Sequence, residues 1–125
     1  MKDNPKIIKI DDKEYVLKGS SKEKAQSFKG MEYCIIRTYS AGCFAGYIDR
    51  KREDKSTGTV FNARRLWYWS GASSLSQLAN EGVKNPSNCK FPCEVDEIDL
   101  VKIIEVIPAT EEAKDSIAGV SVWEE

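Results

Sequence analysis

The stretch Phe61-Asn-Ala-Arg-Arg-Leu-Trp-Tyr-Trp-Ser-Gly-Ala-Ser-Ser74 constrains the fold of this chain more than any other. Its first part alternates with period two, as a strand does, and its last part is a small-residue turn into a helix. From Thr59 to Trp69, the side chains of Phe61, Ala63, Arg65, Trp67 and Trp69 are expected on one side. Val60, Asn62, Arg64, Leu66 and Tyr68 fall on the other. Ser74-Leu-Ser-Gln77 then reads as a capping box, in which the Ser74 hydroxyl accepts from a first-turn amide. Leu75, Leu78 and Ala79 follow at helical spacing, and Gly82 supplies the stop.

The rest of the chain repeats this grammar. Ile7 to Ile10 and Glu14 to Leu17 are short β-type runs separated by Asp11-Asp-Lys13, a hairpin signal. Ser20-Ser-Lys-Glu23 reads as another capping box, predicting a short helix through Ala25 and Phe28 that ends at Gly30. Glu32 to Tyr39 and Cys43 to Ile48 are strands, with Ser40-Ala-Gly42 between them. Asp49 to Gly58 is a polar loop with nothing to bury. Lys84-Asn-Pro-Ser-Asn88 is loop chemistry, Asp96, Glu97 and Asp99 suit a solvated strand edge, and Leu100 to Ile107 is a strand closed by Pro108. Thr110 caps a final helix whose first turn holds Glu111 and Glu112, with Gly119 at its end. Strands adjacent in sequence with helices between them predict an α+β fold. The expected architecture is a single domain over residues 1–125, mainly an antiparallel β-sheet with two or three short packed helices. Residues 1–30 would form the N-terminal hairpin and short helix, and residues 31–125 the core.

Composition narrows the chemistry. Nineteen Lys and Arg against twenty Asp and Glu give a net charge of -1, which argues against a binder of duplex nucleic acid. The chain has no histidine, so the commonest general base and metal ligand are missing. The acidic residues are scattered, with no close pair suited to acid–base work. Cys34, Cys43, Cys89 and Cys93 lack the paired spacing of a zinc site and read as reduced thiols. No apolar run approaches the roughly 20 residues of a membrane helix, and the charged N-terminus does not read as a signal peptide. A cytoplasmic protein without a cofactor or metal is the expectation.

Several residues nevertheless suit a small anionic ligand. Arg64 and Arg65 are consecutive in a strand and must point to opposite faces; one of them, with Arg37, could fork onto a phosphate. The plainer reading leaves one exposed and pairs the other with an acid. Trp67, Tyr68 and Trp69 serve equally as strand packing or as platforms for a base. Ser73 and Ser74 stand where a helix start leaves amides free, and can cap the helix or contact an oxyanion. Asn88 and Lys90 add polar contacts on a proline-bounded loop, which is also ordinary turn chemistry.

From Met31 to Trp123 the chain resembles a family of small single-domain proteins of tailed bacteriophages. The resemblance rests on Arg37-Thr-Tyr-Ser-Ala-Gly42 with Phe44-Ala-Gly46, Asn62 to Gly71, Ser74 to Ala79, Lys84-Asn-Pro with Asn88 to Pro92, and Pro108 to Trp123. Such proteins are similar to anti-defence sponges, in particular the Thoeris anti-defence sponge family. The resemblance implies an oligomer in the host cytoplasm that sequesters a glycocyclic ADP-ribose signal, or another cyclic nucleotide, at sites near subunit contacts. It implies no hydrolysis of that ligand, and it assigns no contact to a particular residue. Two other readings stand beside it. One is a protein-interaction module using the Trp/Tyr/Arg strand; the other is a histidine-free, metal-dependent nucleotide hydrolase.

Overall fold

The computed structural model describes residues 7–10, 13–16, 23–50 and 53–124. Its strands are β1 (Ile7–Ile10), β2 (Lys13–Val16), β3 (Glu32–Thr38), β4 (Cys43–Asp49), β5 (Gly58–Arg65), β6 (Glu94–Leu100) and β7 (Ile103–Pro108). Helix α1 (Leu75–Glu81) follows β5, a 3-10 turn occupies Pro86–Asn88, and α2 (Glu111–Ala118) follows β7. β1 and β2 form the expected hairpin, and the other five strands make one antiparallel sheet in the order β6-β5-β4-β3-β7. This is the predicted α+β architecture, with two helices. Both form behind their predicted caps: Ser74 Oγ accepts from the Gln77 amide at 3.1 Å, and Thr110 Oγ1 from the Ala113 amide at 3.0 Å.

One connection fixes the shape of the sheet. β6 and β7 lie on opposite edges, yet only Val101 and Lys102 separate them. In a flat sheet those edges would stand about 19 Å apart, whereas three residue steps span about 11 Å at most. The sheet is therefore rolled, bringing its two edges together at that corner. Inside the roll lie Cys34, Ile36, Phe44, Ile48, Val60, Ala63, Leu100 and Ile103. The outer face carries Tyr33, Ile35 and Ala45, covered by Leu78 and Ala79 of α1 and Ala113 and Ile117 of α2.

Three expectations are corrected. The strand predicted to run to Trp69 ends at Arg65, and its alternation breaks earlier. Tyr47 pairs with Phe61 and Ala45 with Arg64, so β5 carries one extra residue opposite Gly46. Asn62 absorbs it with φ of 52°, a left-handed conformation that asparagine tolerates better than most residues. The bulge moves Ala63 onto the face of Val60 and Arg64 onto the helix-covered face. Gly46 is required there, because an added Cβ would lie 2.6 Å from Val60 Cγ1 and 2.9 Å from the Phe61 carbonyl oxygen.

Next, the predicted strand over 100–107 divides at Val101 and Lys102, where Lys102 has φ of 55°. Finally, residues 23–30 are not helical. The Ala25 amide donates to the Ala109 carbonyl, and Lys29 and Gly30 make a positive-φ turn between Phe28 and Met31. Tertiary pairing overrides the weak local helix signal, whose cap, Ser20, lies outside the described residues.

Cys34 yields a prediction. Burial inside the roll pushes its thiol from 9.0 up to about 11. A raised value favours the folded state while the thiol is protonated, so this contribution is complete below pH 9. It is lost between pH 9 and about 11, on the order of 2–3 kcal/mol. Urea unfolding across that window should show the decline, and Cys34→Ala should flatten it; an unchanged slope in the variant would refute the assignment.

Candidate functional site

Arg64 is built into the fold. It is 6% exposed, and its guanidinium donates to four backbone carbonyls: Nε to Pro92 at 3.0 Å, Nη1 to Ile117 at 2.8 Å, and Nη2 to Phe91 and Val120 at 3.2 and 2.7 Å. The Ile117 and Val120 carbonyls belong to the last turn and exit of α2, where a cation offsets the negative end of the helix. Burial lowers its pKa, and the nearby Tyr33 and Glu94 oppose that shift. The plainer sequence reading foresaw an acidic partner; the structure supplies carbonyls instead.

The other two arginines lie elsewhere. Arg37 donates through Nε to Glu105 Oε1 at 2.9 Å across the β3–β7 pair, with both side chains substantially exposed. Arg65 reaches the Ala41 carbonyl at 2.6 Å and lies over the Phe44 ring at 4.5 Å. Because β5 ends at Arg65, neither Trp67 nor Trp69 continues its face.

The helix entrance is internally satisfied. Ser74 is the N-cap, while Ser73 donates through both its amide and its hydroxyl to Gln77 Oε1, at 2.9 and 2.8 Å. Gly71 serves backbone proximity: with φ of 92°, it lets the Lys84 and Asn85 amides approach a space that a Cβ would fill at 2.4 and 2.6 Å. Ser70 is tied to the same loop through its Oγ, which accepts from Asn85 Nδ2 at 3.2 Å.

Of the residues picked out in the sequence, the structure gathers Trp67, Tyr68, Asn88 and Lys90. Tyr68 and Lys90 form a β-bridge, with the Lys90 amide donating to the Tyr68 carbonyl at 2.7 Å. Beyond it, the C-terminal segment runs beside Phe91, and the Trp123 amide donates to the Phe91 carbonyl at 2.9 Å. That contact lays Trp123 on Trp67 with ring centroids 5.1 Å apart and planes 11° from parallel. Lys90 Nζ sits 5.4 Å from the Trp67 ring centroid and 5.6 Å from that of Trp123. Among the described residues no carboxylate pairs with Lys90.

Trp67 is 58% exposed and Tyr68 52%. A cleft of about 340 Å³ lined by Tyr68, Ser70, Asn88, Lys90 and Trp123 opens beside them. Trp69 turns inward against the helix-side core. Trp123 is the member that strand and helix patterns could not supply, because it arrives through an irregular tail pairing.

The span 31–117 matches the family described as Domain of unknown function (DUF6948). The chain belongs to this family. The DUF6948 match takes in β3 through nearly all of α2, with Trp67, Tyr68 and Lys90, and ends before Trp123. No curated protein and no solved structure matches the chain. In this DUF6948 protein the four cysteines are free thiols. Among the described residues no group of three or more Cys, Asp or Glu side chains is placed to hold a metal ion. No described helix is long and apolar enough to cross a membrane.

Proposed function

We propose that this protein binds a small cyclic nucleotide and retains it without cleaving it. The observation that carries this reading is the stack of exposed Trp67 on half-buried Trp123, with Lys90 beside both rings. An aromatic face accepts a base, and an ammonium such as that of Lys90, paired with no carboxylate among the described residues, can hold a phosphate. The assembled residues suit binding: two indoles, a phenol, an amide and an ammonium provide stacking and hydrogen bonds. Their resemblance-based counterpart is a phage anti-defence sponge, acting as an oligomer in the host cytoplasm on a glycocyclic ADP-ribose signal. Arg64, Ser73 and Ser74 stand outside the proposed contacts because the fold occupies their polar atoms.

Calorimetry with cyclic ADP-ribose isomers and cyclic di- and trinucleotides tests the proposal. One of them should bind, and heat denaturation should return it intact. Trp67→Ala is expected to weaken that binding by about 1–3 kcal/mol, roughly 5- to 150-fold, with Lys90→Ala weakening it comparably. Absence of affinity across the panel overturns the reading, and recovery of a cleaved product overturns the sequestration.

The exposure of Trp67, Tyr68 and Val122 favours a second reading, a protein-interaction surface. Capture of one stoichiometric partner, lost in Trp67→Ala and accompanied by no nucleotide affinity, would select it.

A further inference from the structure

A second cleft, of about 350 Å³, opens on the helix-covered face of the sheet. Its polar lining comes from Tyr33 on β3, Tyr47 on β4, Asn62 and Arg64 on β5, Glu94 at the start of β6, and Lys114 on α2. It shares no lining residue with the cleft beside Lys90.

The polar groups here have been left open. The Tyr33 and Tyr47 hydroxyls, the Asn62 amide, the Lys114 ammonium and the Glu94 carboxylate form no side-chain hydrogen bond or ion pair with a described residue. Tyr33 is 8% exposed, yet no buried side-chain oxygen or nitrogen among the described residues lacks a partner. Its hydroxyl must therefore reach the cleft. Burial raises the phenol far above its ordinary value, so it is a neutral hydrogen-bond donor.

Lys114 lies 6.0 Å from the Tyr33 ring centroid without pairing with Glu94. Arg64 brings a buried positive charge to the wall, hydrogen-bonded to carbonyls and within electrostatic reach of Glu94. By formal charge the lining holds two cations, Arg64 and Lys114, and one carboxylate, Glu94, whose influence on Tyr33 exceeds that of Arg64. The two tyrosine rings meet edge to face at 5.2 Å, and Ile117 and Val120 complete an apolar floor. Asn62 holds its left-handed conformation at the bulge that turns this part of β5.

We propose that this cleft binds a monosaccharide phosphate. The phosphate would meet the Lys114 ammonium and accept from the Tyr33 hydroxyl. Glu94, whose carboxylate accepts no hydrogen bond from a described residue, and the Asn62 amide would take the sugar hydroxyls. The C–H face of the sugar would lie on the Tyr47 ring. The volume is near the low end of the range of small-molecule sites, about 300–1,000 Å³, which suits one sugar phosphate and not a whole cyclic dinucleotide.

The test is titration of the full chain with ribose 5-phosphate, ribose and inorganic phosphate, followed through the Tyr33 and Tyr47 ring resonances. Ribose 5-phosphate should give saturable shifts, and the other two should bind at least about tenfold more weakly, since each lacks one set of charge-assisted contacts. Lys114→Gln and Glu94→Gln should each weaken ribose 5-phosphate by at least about tenfold, the worth of a hydrogen bond to a charged group. Trp67→Ala should leave its affinity unchanged. Both polar substitutions lie at the surface, and circular dichroism checks that each variant is folded. Absence of saturable shifts in the millimolar range overturns the assignment. So does equal affinity for inorganic phosphate, or wild-type affinity in both folded variants.

Discussion

Arg64→Met is expected to unfold this protein or cost more than about 4 kcal/mol, among the largest effects a point substitution produces. The methionine restores some bulk but no donor. Carbonyls of Phe91, Pro92, Ile117 and Val120 would lose their guanidinium together. Hydrogen bonds from a charged group contribute about 1.5–3 kcal/mol each, and a stranded buried acceptor costs about as much. These losses are not additive, and water can reach part of the Pro92 side.

Arg64→Lys should recover little, because an ammonium has three donors on one atom and cannot span acceptors on two separate segments. Those segments are the loop at Phe91 and the exit of α2, so one side chain joins the C-terminal helix to the sheet. Guanidinium unfolding measures the effect. A lysine variant within about 1 kcal/mol of the parent would show that the fork is dispensable.

Gly71→Ala is the second large expectation. The left-handed conformation alone costs an alanine about 1–2 kcal/mol. The methyl group would also lie 2.4 Å from the Lys84 nitrogen, 2.6 Å from that of Asn85 and 2.9 Å from Lys84 Cα. All three are backbone atoms, so no rotamer change relieves the contact and the loop must move. That loop leads through Pro86–Asn88 to Cys89, whose Sγ accepts from the Ser70 amide at 3.4 Å, and on to Lys90. Thermal unfolding should show a loss of about 3 kcal/mol or more, from strain and displaced packing. Nucleotide affinity should fall in the same variant, because Asn88 and Lys90 follow the loop. Parental stability together with parental affinity would contradict the close approach of Gly71 to the Lys84–Asn85 backbone.

These two positions show what the sequence disclosed. Ser74, Thr110 and Gly82 announced their helices because capping is a local agreement between a side chain and the next few amides. β3 and β4 were legible for the same reason: alternation is local. Arg64 was visible as a residue that must be explained, but its partners are up to 56 residues away, at Val120, and no spacing rule points to them. The bulge at Asn62 was hidden inside an unbroken alternation, since the polar pattern reads on across the slip. In the sequence Gly71 is one of several small residues in a turn before a helix, whereas its need arises from Lys84, a contact made through space. Of the candidate contacts, Trp67, Tyr68, Asn88 and Lys90 come together because a bridge between Tyr68 and Lys90 aligns two loops. Trp123 entered by the same kind of irregular pairing, and Arg37 and Arg65 remained apart from it.

The short link at Val101 and Lys102 bears on the order of events during folding. Adjacent strands joined by two residues ordinarily pair with each other early; here each is delivered to a different edge. β3, β4 and β5 can form a meander from near neighbours, but Arg37 must find Glu105 at a separation of 68 residues. Such distant pairings are slow because chain entropy is spent before the contact rewards it. Docking β6 on β5 shortens that search, since the link then holds the start of β7 at the far edge. The last strand is thus placed by its predecessor, and closure of the sheet is expected to come late in folding.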